Sequence, residues 1–189
     1  MPPFVILDRD GVINEDSPDY IKSPAEWQPI PGALEGIALL TLHNIDLFVA
    51  TNQAGVARGR LSLDSLHSIH EKLRVTVESA GGVIRDIHFC PHHPDERCRC
   101  RKPEPGLLLD LAAKYQLSLA QGYYVGDSLK DLEAADAAGC RGVLVLTGNG
   151  RETLRQRPGQ ELVFDDLLAF ARSEEHMSEL QSPCNLVCR

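Results

Sequence analysis

Two aspartates, Asp8 and Asp10, follow the apolar run Phe4-Val-Ile-Leu7 and precede Gly11. In an extended segment, residues two apart point the same way, so both carboxylates can face one reacting centre. Gly11 permits the turn that leads the chain away. Such a pair suits a division of labour on a phosphate ester. One carboxylate attacks phosphorus, and the other protonates the leaving alcohol and later takes a proton from water. A bare Asp-x-Asp also binds cations or solvates turns, so the pair needs support from other parts of the chain.

Electrostatics sets what that support must be. A carboxylate about 4 Å from a phosphate dianion is repelled by about 8 kcal/mol at an effective dielectric of about 20. A carboxylate nucleophile therefore requires cations. Mg²⁺ fits, because it takes one or two carboxylates together with a substrate phosphate. Asp127, in Val125-Gly-Asp-Ser-Leu-Lys-Asp131, is the natural third anchor beside Asp8 and Asp10. Asp131 would orient a metal-bound water or the loop, or would simply be a first-turn acid favoured by the helix dipole. Lys102 supplies a fixed positive charge, and Thr51 and Asn52 supply donors for phosphoryl oxygens.

A second cluster has different chemistry. Cys90-Pro-His-His93 followed by Cys98-Arg-Cys100 spaces three thiols and a histidine as Cys-x-His-x5-Cys-x-Cys. Where thiols stay reduced, a tight cluster reads as a metal site before it reads as disulfides. Three thiolates and one imidazole complete a tetrahedral Zn²⁺ shell with no open position, which makes the metal structural. Spacing alone leaves His92 and His93 both open; His92 is preferred because the two-residue ligand spacing then repeats on both sides. Arg101 and Lys102 follow the last ligand directly, so the zinc would pin a wall of the catalytic crevice.

The elements that must position these groups alternate. Strands are expected at Phe4–Leu7, Asp46–Ala50, Ile84–Phe89, Gly122–Val125 and Gly142–Leu146, with a short last one at Leu162–Phe164. Helices are expected after Pro31-Gly32, with Leu34, Ile37, Ala38 and Leu42 as the apolar stripe, and from the Ser62 N-cap to about Ala80. Further helices are expected at Leu107–Tyr115 and Leu129–Ala138, and at the end of the domain. This pattern predicts an α/β, three-layer Rossmann-like fold, a mostly parallel sheet with helices on both faces. In such sheets ligands bind beyond the carboxyl ends of the strands. Asp8 and Asp10, Thr51 and Asn52, and Asp127 all follow predicted strands and so converge on one crevice. His43, His67, His70 and His88 lie on predicted helices or a strand and read as packing or surface residues.

The chain has 189 residues, 43% hydrophobic and 24% charged, with a net charge of −8 and 5% aromatics. That length supports a single core without disulfides. The acidic balance disfavours nucleic acid and anionic membrane as partners, and no apolar run approaches the roughly 20 residues of a span. With no signal-peptide pattern at Met1-Pro-Pro3, the expected compartment is the cytoplasm, and a monomer is the expected state. Residues 1–172 are expected to form one domain. Residues 173–189, which contain Cys184 and Cys188, resemble the translation of a sequencing adapter apart from Met177, and are set aside as a non-native tail.

With these pieces in order, the chain resembles the haloacid dehalogenase-like phosphohydrolases over about residues 4–150. Within them, Leu-Asp-Arg-Asp-Gly-Val-Ile-Asn at 7–14, Thr-Asn-Gln-Ala-Gly-Val-Ala-Arg-Gly at 51–59, Cys-Pro-His-His-Pro at 90–94 and Cys-Arg-Lys-Pro at 100–103 resemble the D-glycero-D-manno-heptose-1,7-bisphosphate 7-phosphatase family. The resemblance implies an aspartyl-phosphate mechanism with Asp8 as nucleophile and Asp10 as acid and base. It places Mg²⁺ on Asp8, Asp127 and the Asp10 carbonyl, and agrees with Zn²⁺ on Cys90, His92, Cys98 and Cys100. It implies catalytic roles for Thr51 and Lys102 and substrate contacts at Arg9, Asn52, Gln53, Ala54 and Arg101. The implied reaction removes the C7 phosphate of a small phosphorylated sugar used in lipopolysaccharide core synthesis. The stretch Asp16-Ser-Pro-Asp-Tyr20 runs one residue longer than in some relatives. Only short segments separate the motifs, so no cap domain is expected. Three other readings compete: a related histidinol-phosphate phosphatase, a zinc-dependent interaction module on a dead phosphatase fold, and a phosphotransferase. A remote second phosphate would want an extra cation, for which Arg58 and Arg101 are candidates.

Overall fold

The computed structural model describes residues 3–173; the set-aside tail, apart from Ser173, lies outside the described residues. Strands β1 (Phe4–Leu7), β2 (Asp46–Asn52), β3 (Asp86–Cys90), β4 (Tyr123–Gly126), β5 (Arg141–Val145) and β6 (Val163–Phe164) form one six-stranded sheet. Its order is β3-β2-β1-β4-β5-β6, and all five pairings are parallel. The order of connection reverses between β1 and β4, and a crevice opens there at the carboxyl ends of the strands.

Alternate residues of each strand feed two cores. On one face Val5, Leu7, Leu47, Val49, Val125, Val143 and Val145 meet helix α1 (Ala33–Leu42), helix α2 (Leu63–Ser79) and the helical segment 167–173. On the other, Phe4, Ile6, Phe48, Ala50 and Tyr124 meet helix α3 (Gly106–Tyr115) and helix α4 (Leu129–Ala138). Strands buried on both faces read as continuous apolar runs, which is why they stood out in the sequence.

Ser62 caps α2, its hydroxyl accepting from the Ser65 amide at 3.0 Å, and Leu66, Ile69, Leu73 and Val77 are buried along one stripe as expected. The stripe expected for α1 is displaced. Its buried positions are Ala33, Gly36, Ile37 and Leu40, while Leu42 is 74% exposed. The shift follows from Gly36, whose missing side chain lets the backbone at Leu167 and Leu168 approach. One helix, α5 (Gly150–Gln156), was not expected at all. It is almost wholly polar and buries only Gly150 and Thr153, so it carries no apolar periodicity to read. Among the described residues no helix is long and apolar enough to cross a membrane.

Candidate active site

A cavity of about 540 Å³ lies at the sheet's topological switch point. Asp8 enters it from the end of β1, Asp10 from the following turn, Thr51 and Asn52 from the end of β2, and Asp127 from the end of β4. Asp8, Asp127 and Asp131 each place a carboxylate oxygen within 4.8 Å of the others, and all three are buried. Gly11 and Gly148 both adopt positive φ, and a Cβ on either would collide with the Asp127 carboxylate. Glycine is therefore needed at both positions for the backbone to close around that side chain.

One buried cation faces this group. Lys102, 3% exposed, holds Asp8 Oδ1 at 2.8 Å and Asp131 Oδ1 at 2.6 Å. It also donates to the Tyr124 hydroxyl at 2.7 Å and the Ala50 carbonyl at 3.2 Å. Burial alone would favour the neutral amine, but the two carboxylates raise the Lys102 pKa above its ordinary value. Burial also opposes ionisation of Asp131. There Lys102 prevails, aided by the Ser128 hydroxyl at 2.6 Å, and the Asp131 pKa falls. Asp8 and Asp127 are less compensated. Burial holds Asp8 well above the carboxylate range, with Lys102 offsetting it only in part and Asp131 adding repulsion. Burial and Asp131 push Asp127 up to about 6, although Asn149 donates to it from its backbone N–H at 2.7 Å and its side chain at 3.1 Å. Among the described residues, one ammonium with three carboxylates leaves an excess of negative charge, which fits a site for a divalent cation.

The carboxylate of Asp10 is not among those three. Its oxygens accept from Arg9, from Asn14 Nδ2 at 2.8 Å and from Gln53 Nε2 at 2.8 Å. Burial acts against its ionisation, and the adjacent Arg9 guanidinium with these hydrogen bonds holds its pKa below the usual value.

The expected substrate contacts separate. Gln53 lines the cavity and bridges Asp10 and Thr51. Asn52 exchanges two hydrogen bonds of 3.1 Å with the Lys102 backbone, so its amide fastens the lysine loop to β2. Arg101 lines the cavity, and its Nη1 is buried without a hydrogen-bond partner. Arg58 and Ala54 are not part of the lining, and Ala54 is buried. Asp16, Ser17 and Tyr20 form part of the wall. Sequence reasoning missed Asn149 and Tyr124. Asn149, set between glycines just after β5, carried a signal in that placement; Tyr124, inside an apolar strand, carried none.

The Cys/His loop forms the second centre. Cys90 lies at the end of β3, and the ligand atoms of Cys90, His92, Cys98 and Cys100 lie within 4.8 Å of one another. Cys90 Sγ is 3.5 Å from Cys98 Sγ and 3.5 Å from His92 Nδ1, which is 3.2 Å from Cys100 Sγ. A tetrahedron with zinc–sulfur bonds of about 2.3 Å has edges of about 3.5–3.8 Å, so the four atoms fit that metal. His93 faces elsewhere and caps the short 3-10 turn Pro94–Glu96.

Three comparisons bear directly on this arrangement. The HAD-hydrolase-like family model matches residues 99–170. The chain is 52% identical over 170 residues to D-glycero-beta-D-manno-heptose-1,7-bisphosphate 7-phosphatase of Pseudomonas putida, a match that spans 89% of this chain and 97% of that one. The chain belongs to this phosphatase family. The Bordetella bronchiseptica family member is 49% identical over 170 residues, covering 89% of this chain and 95% of its own. A crystal structure of D,D-heptose 1.7-bisphosphate phosphatase from B. bronchiseptica complexed with magnesium and phosphate superimposes with a TM-score of 0.90 at 47% identity, covering 93% of this chain and 99% of that chain. The Burkholderia thailandensis enzyme's structure gives 0.71 at 37% identity over 95% and 99%.

Removing the central ammonium should expose how much it holds. Lys102→Met is expected to lower the unfolding free energy in urea by about 3–5 kcal/mol, since it leaves buried charges unpaired. Adding Asp131→Asn should recover part of that loss. A single-variant loss below about 1 kcal/mol would contradict the assignment.

Proposed function

We propose that this protein hydrolyses the C7 phosphate of D-glycero-D-manno-heptose 1,7-bisphosphate, yielding heptose 1-phosphate for lipopolysaccharide core synthesis. The observation that carries the reading is the placement of Asp8 at the switch-point cavity, against Lys102 and beside Asp127, in a chain half identical to phosphatases of that name.

In this reading a carboxylate oxygen of Asp8 bonds to phosphorus as the bond from phosphorus to the C7 oxygen breaks. Asp10, in its protonated form, delivers its proton to that oxygen and becomes a carboxylate. Its carboxylate then takes a proton from the water that attacks the phosphorus of the acyl phosphate, freeing Asp8 and inorganic phosphate. Lys102 and Thr51 bear on the phosphoryl oxygens. Gln53 holds Asp10 against Thr51, and Asn52 keeps Lys102 in register with β2. Arg101, which lines the cavity, is the group for the second phosphate. Arg9, which lines the cavity and grips Asp10, and the Ala54 stretch after β2 complete the substrate-contacting surface. Mg²⁺, held by Asp8, Asp127 and the Asp10 carbonyl, supplies the positive charge that offsets repulsion between the nucleophile and the phosphate. Zn²⁺ on Cys90, His92, Cys98 and Cys100 is structural. Residues 1–172 form a single phosphatase domain without a cap, residues 173–189 are a non-native tail, and the protein acts as a cytoplasmic monomer.

The deciding experiment compares kcat/KM for heptose 1,7-bisphosphate and histidinol phosphate in the wild type and in Asp8→Asn. The heptose substrate should be preferred by at least about 100-fold, and the substitution should abolish turnover while the protein stays folded. Preference for histidinol phosphate, or undiminished turnover by the variant, would overturn the reading.

Magnesium binding should depend on pH in a defined direction. Raised pKa values at Asp127 and Asp8 mean that the metal-free native state binds protons more tightly than the unfolded chain. That stability is present at low pH and is lost as pH rises through about 6. Metal requires the ionised form, so saturating Mg²⁺ should raise the melting temperature more at about pH 7.5 than at about pH 5. An equal increment at both would sink the assignment. Stripping zinc with a strong chelator should lower melting temperature and activity together; unchanged melting after verified zinc loss would show that the loop needs no metal.

A further inference from the structure

Asp10, read above as the general acid and base, depends on a side chain from a helix outside the cavity. Arg9 is 1% exposed and turned inward. Its Nε lies 3.1 Å from Asp10 Oδ1, and its Nη2 lies 2.9 Å from Oδ1 and 3.0 Å from Oδ2, a forked grip on the carboxylate. The remaining nitrogen, Nη1, points away from Asp10 and lies 3.3 Å from His70 Nε2. A guanidinium only donates, so Nε2 is the acceptor and the imidazole is neutral. Burial, followed by the Arg9 charge, pulls the His70 pKa down to about 3, in keeping with that state. The ring is 6% exposed and packs on Phe89 with centroids 5.5 Å apart.

The other supports of Asp10 come from loops at the cavity itself. Asn14 is bonded to it directly and is fixed in turn by the Trp27 indole N–H at 2.9 Å, and Gln53 reaches it from beyond β2. His70 differs in origin. It sits on α2, which contributes no residue to the cavity lining among the described residues. The sequence had suggested a packing or surface role for it. Its ring nitrogen instead closes a three-residue chain that ends at the reacting centre.

We propose that His70 is a positioning residue for the general acid, fixing the Arg9 guanidinium and through it the orientation of the Asp10 carboxylate. The proposal rests on the acid–base reading of Asp10. Without an acceptor at position 70, the guanidinium can turn about its long side chain, and the carboxylate loses its fixed aim at the leaving oxygen. A residue of this kind should matter only where the leaving group needs a proton.

The test uses His70→Asn, polar but too short to reach Arg9, beside His70→Gln, whose amide oxygen occupies nearly the position of Nε2. Each is assayed with heptose 1,7-bisphosphate, whose alkoxide leaving group requires protonation, and with p-nitrophenyl phosphate, whose phenolate does not. The parameter kcat/KM is used because it reports only the steps through phosphoryl transfer to Asp8. His70→Asn should lose about tenfold on the sugar, in kcat with KM nearly unchanged, and less than about twofold on the aryl ester. His70→Gln should return to within about threefold of wild type on the sugar. Both variants should melt within a few degrees of each other, which separates positioning from folding. An equal loss on both substrates, no loss on the sugar, or no rescue by Gln overturns the proposal. A wild type inactive on the heptose substrate would instead overturn the functional reading.

Discussion

Mutual repulsion among buried carboxylates is the constraint around which this molecule is organised. Three of them converge where β1 and β4 end, and a single ammonium, Lys102, lies between two. The compensation is incomplete. Asp131 is held ionised by Lys102 and Ser128, whereas Asp8 and Asp127 are left with proton affinities well above those of free carboxylates. A site in this condition is stabilised by added positive charge and resists added negative charge until that charge arrives. The same imbalance that makes a cation welcome therefore makes phosphate dependent on it.

The scaffold supplies what such a site needs by holding each member from a different element. Asn52 locks the Lys102 backbone to the end of β2. Asn149, preceding α5, grips Asp127, and the Thr153 hydroxyl on α5 bonds the Asp127 carbonyl at 2.8 Å. Lys102 also follows Cys100 by two residues, so the geometry of the thiol cluster is transmitted to the lysine over a very short length of chain. The Arg9 fork holds the Asp10 carboxylate outside the group formed by the other three. Two neighbouring acids in one turn thus acquire opposite proton affinities, Asp8 raised and Asp10 lowered. This is the reverse of the order a nucleophile and a general acid need, so positive charge added beside Asp8 is required before the two can divide those roles.

Much of this was legible in the sequence because it rests on short-range rules. Buried strands announced themselves as apolar runs, Ser62 as a cap, Gly139 as a stop with φ of 69°, and the thiol spacing as a tetrahedral set. The convergence of Asp8, Thr51 and Asp127 followed from the rule that parallel strands present their carboxyl ends together. Legibility ended where partners are distant in sequence and ordinary in type. Tyr124 lies within an apolar strand, His70 on an amphipathic helix, and Asn14 and Trp27 in a loop; none of these carries a pattern of its own. Helix α5 escaped notice because it is fixed by hydrogen bonds to Asp127 rather than by an apolar face. The apolar stripe of α1 was misjudged because a glycine, not a large residue, sets its closest contact.

The reversal of strand order at β1 has a consequence for how the molecule comes into being. The seam between β1 and β4 joins the first strand of the chain to one that is made only after two-thirds of the residues have been joined. During synthesis, Asp8 and Lys102 both precede Asp127 and Asp131, so the electrostatic centre cannot be completed until β4 and the start of α4 have been made. Until β4 slots in beside β1, β1 is an open edge of the first half of the sheet, and Lys102 has Asp8 as a carboxylate partner but not Asp131. Closure of the seam between β1 and β4 and assembly of the carboxylate cluster are accordingly a single event, and a ribosome-bound fragment ending before Asp127 holds neither.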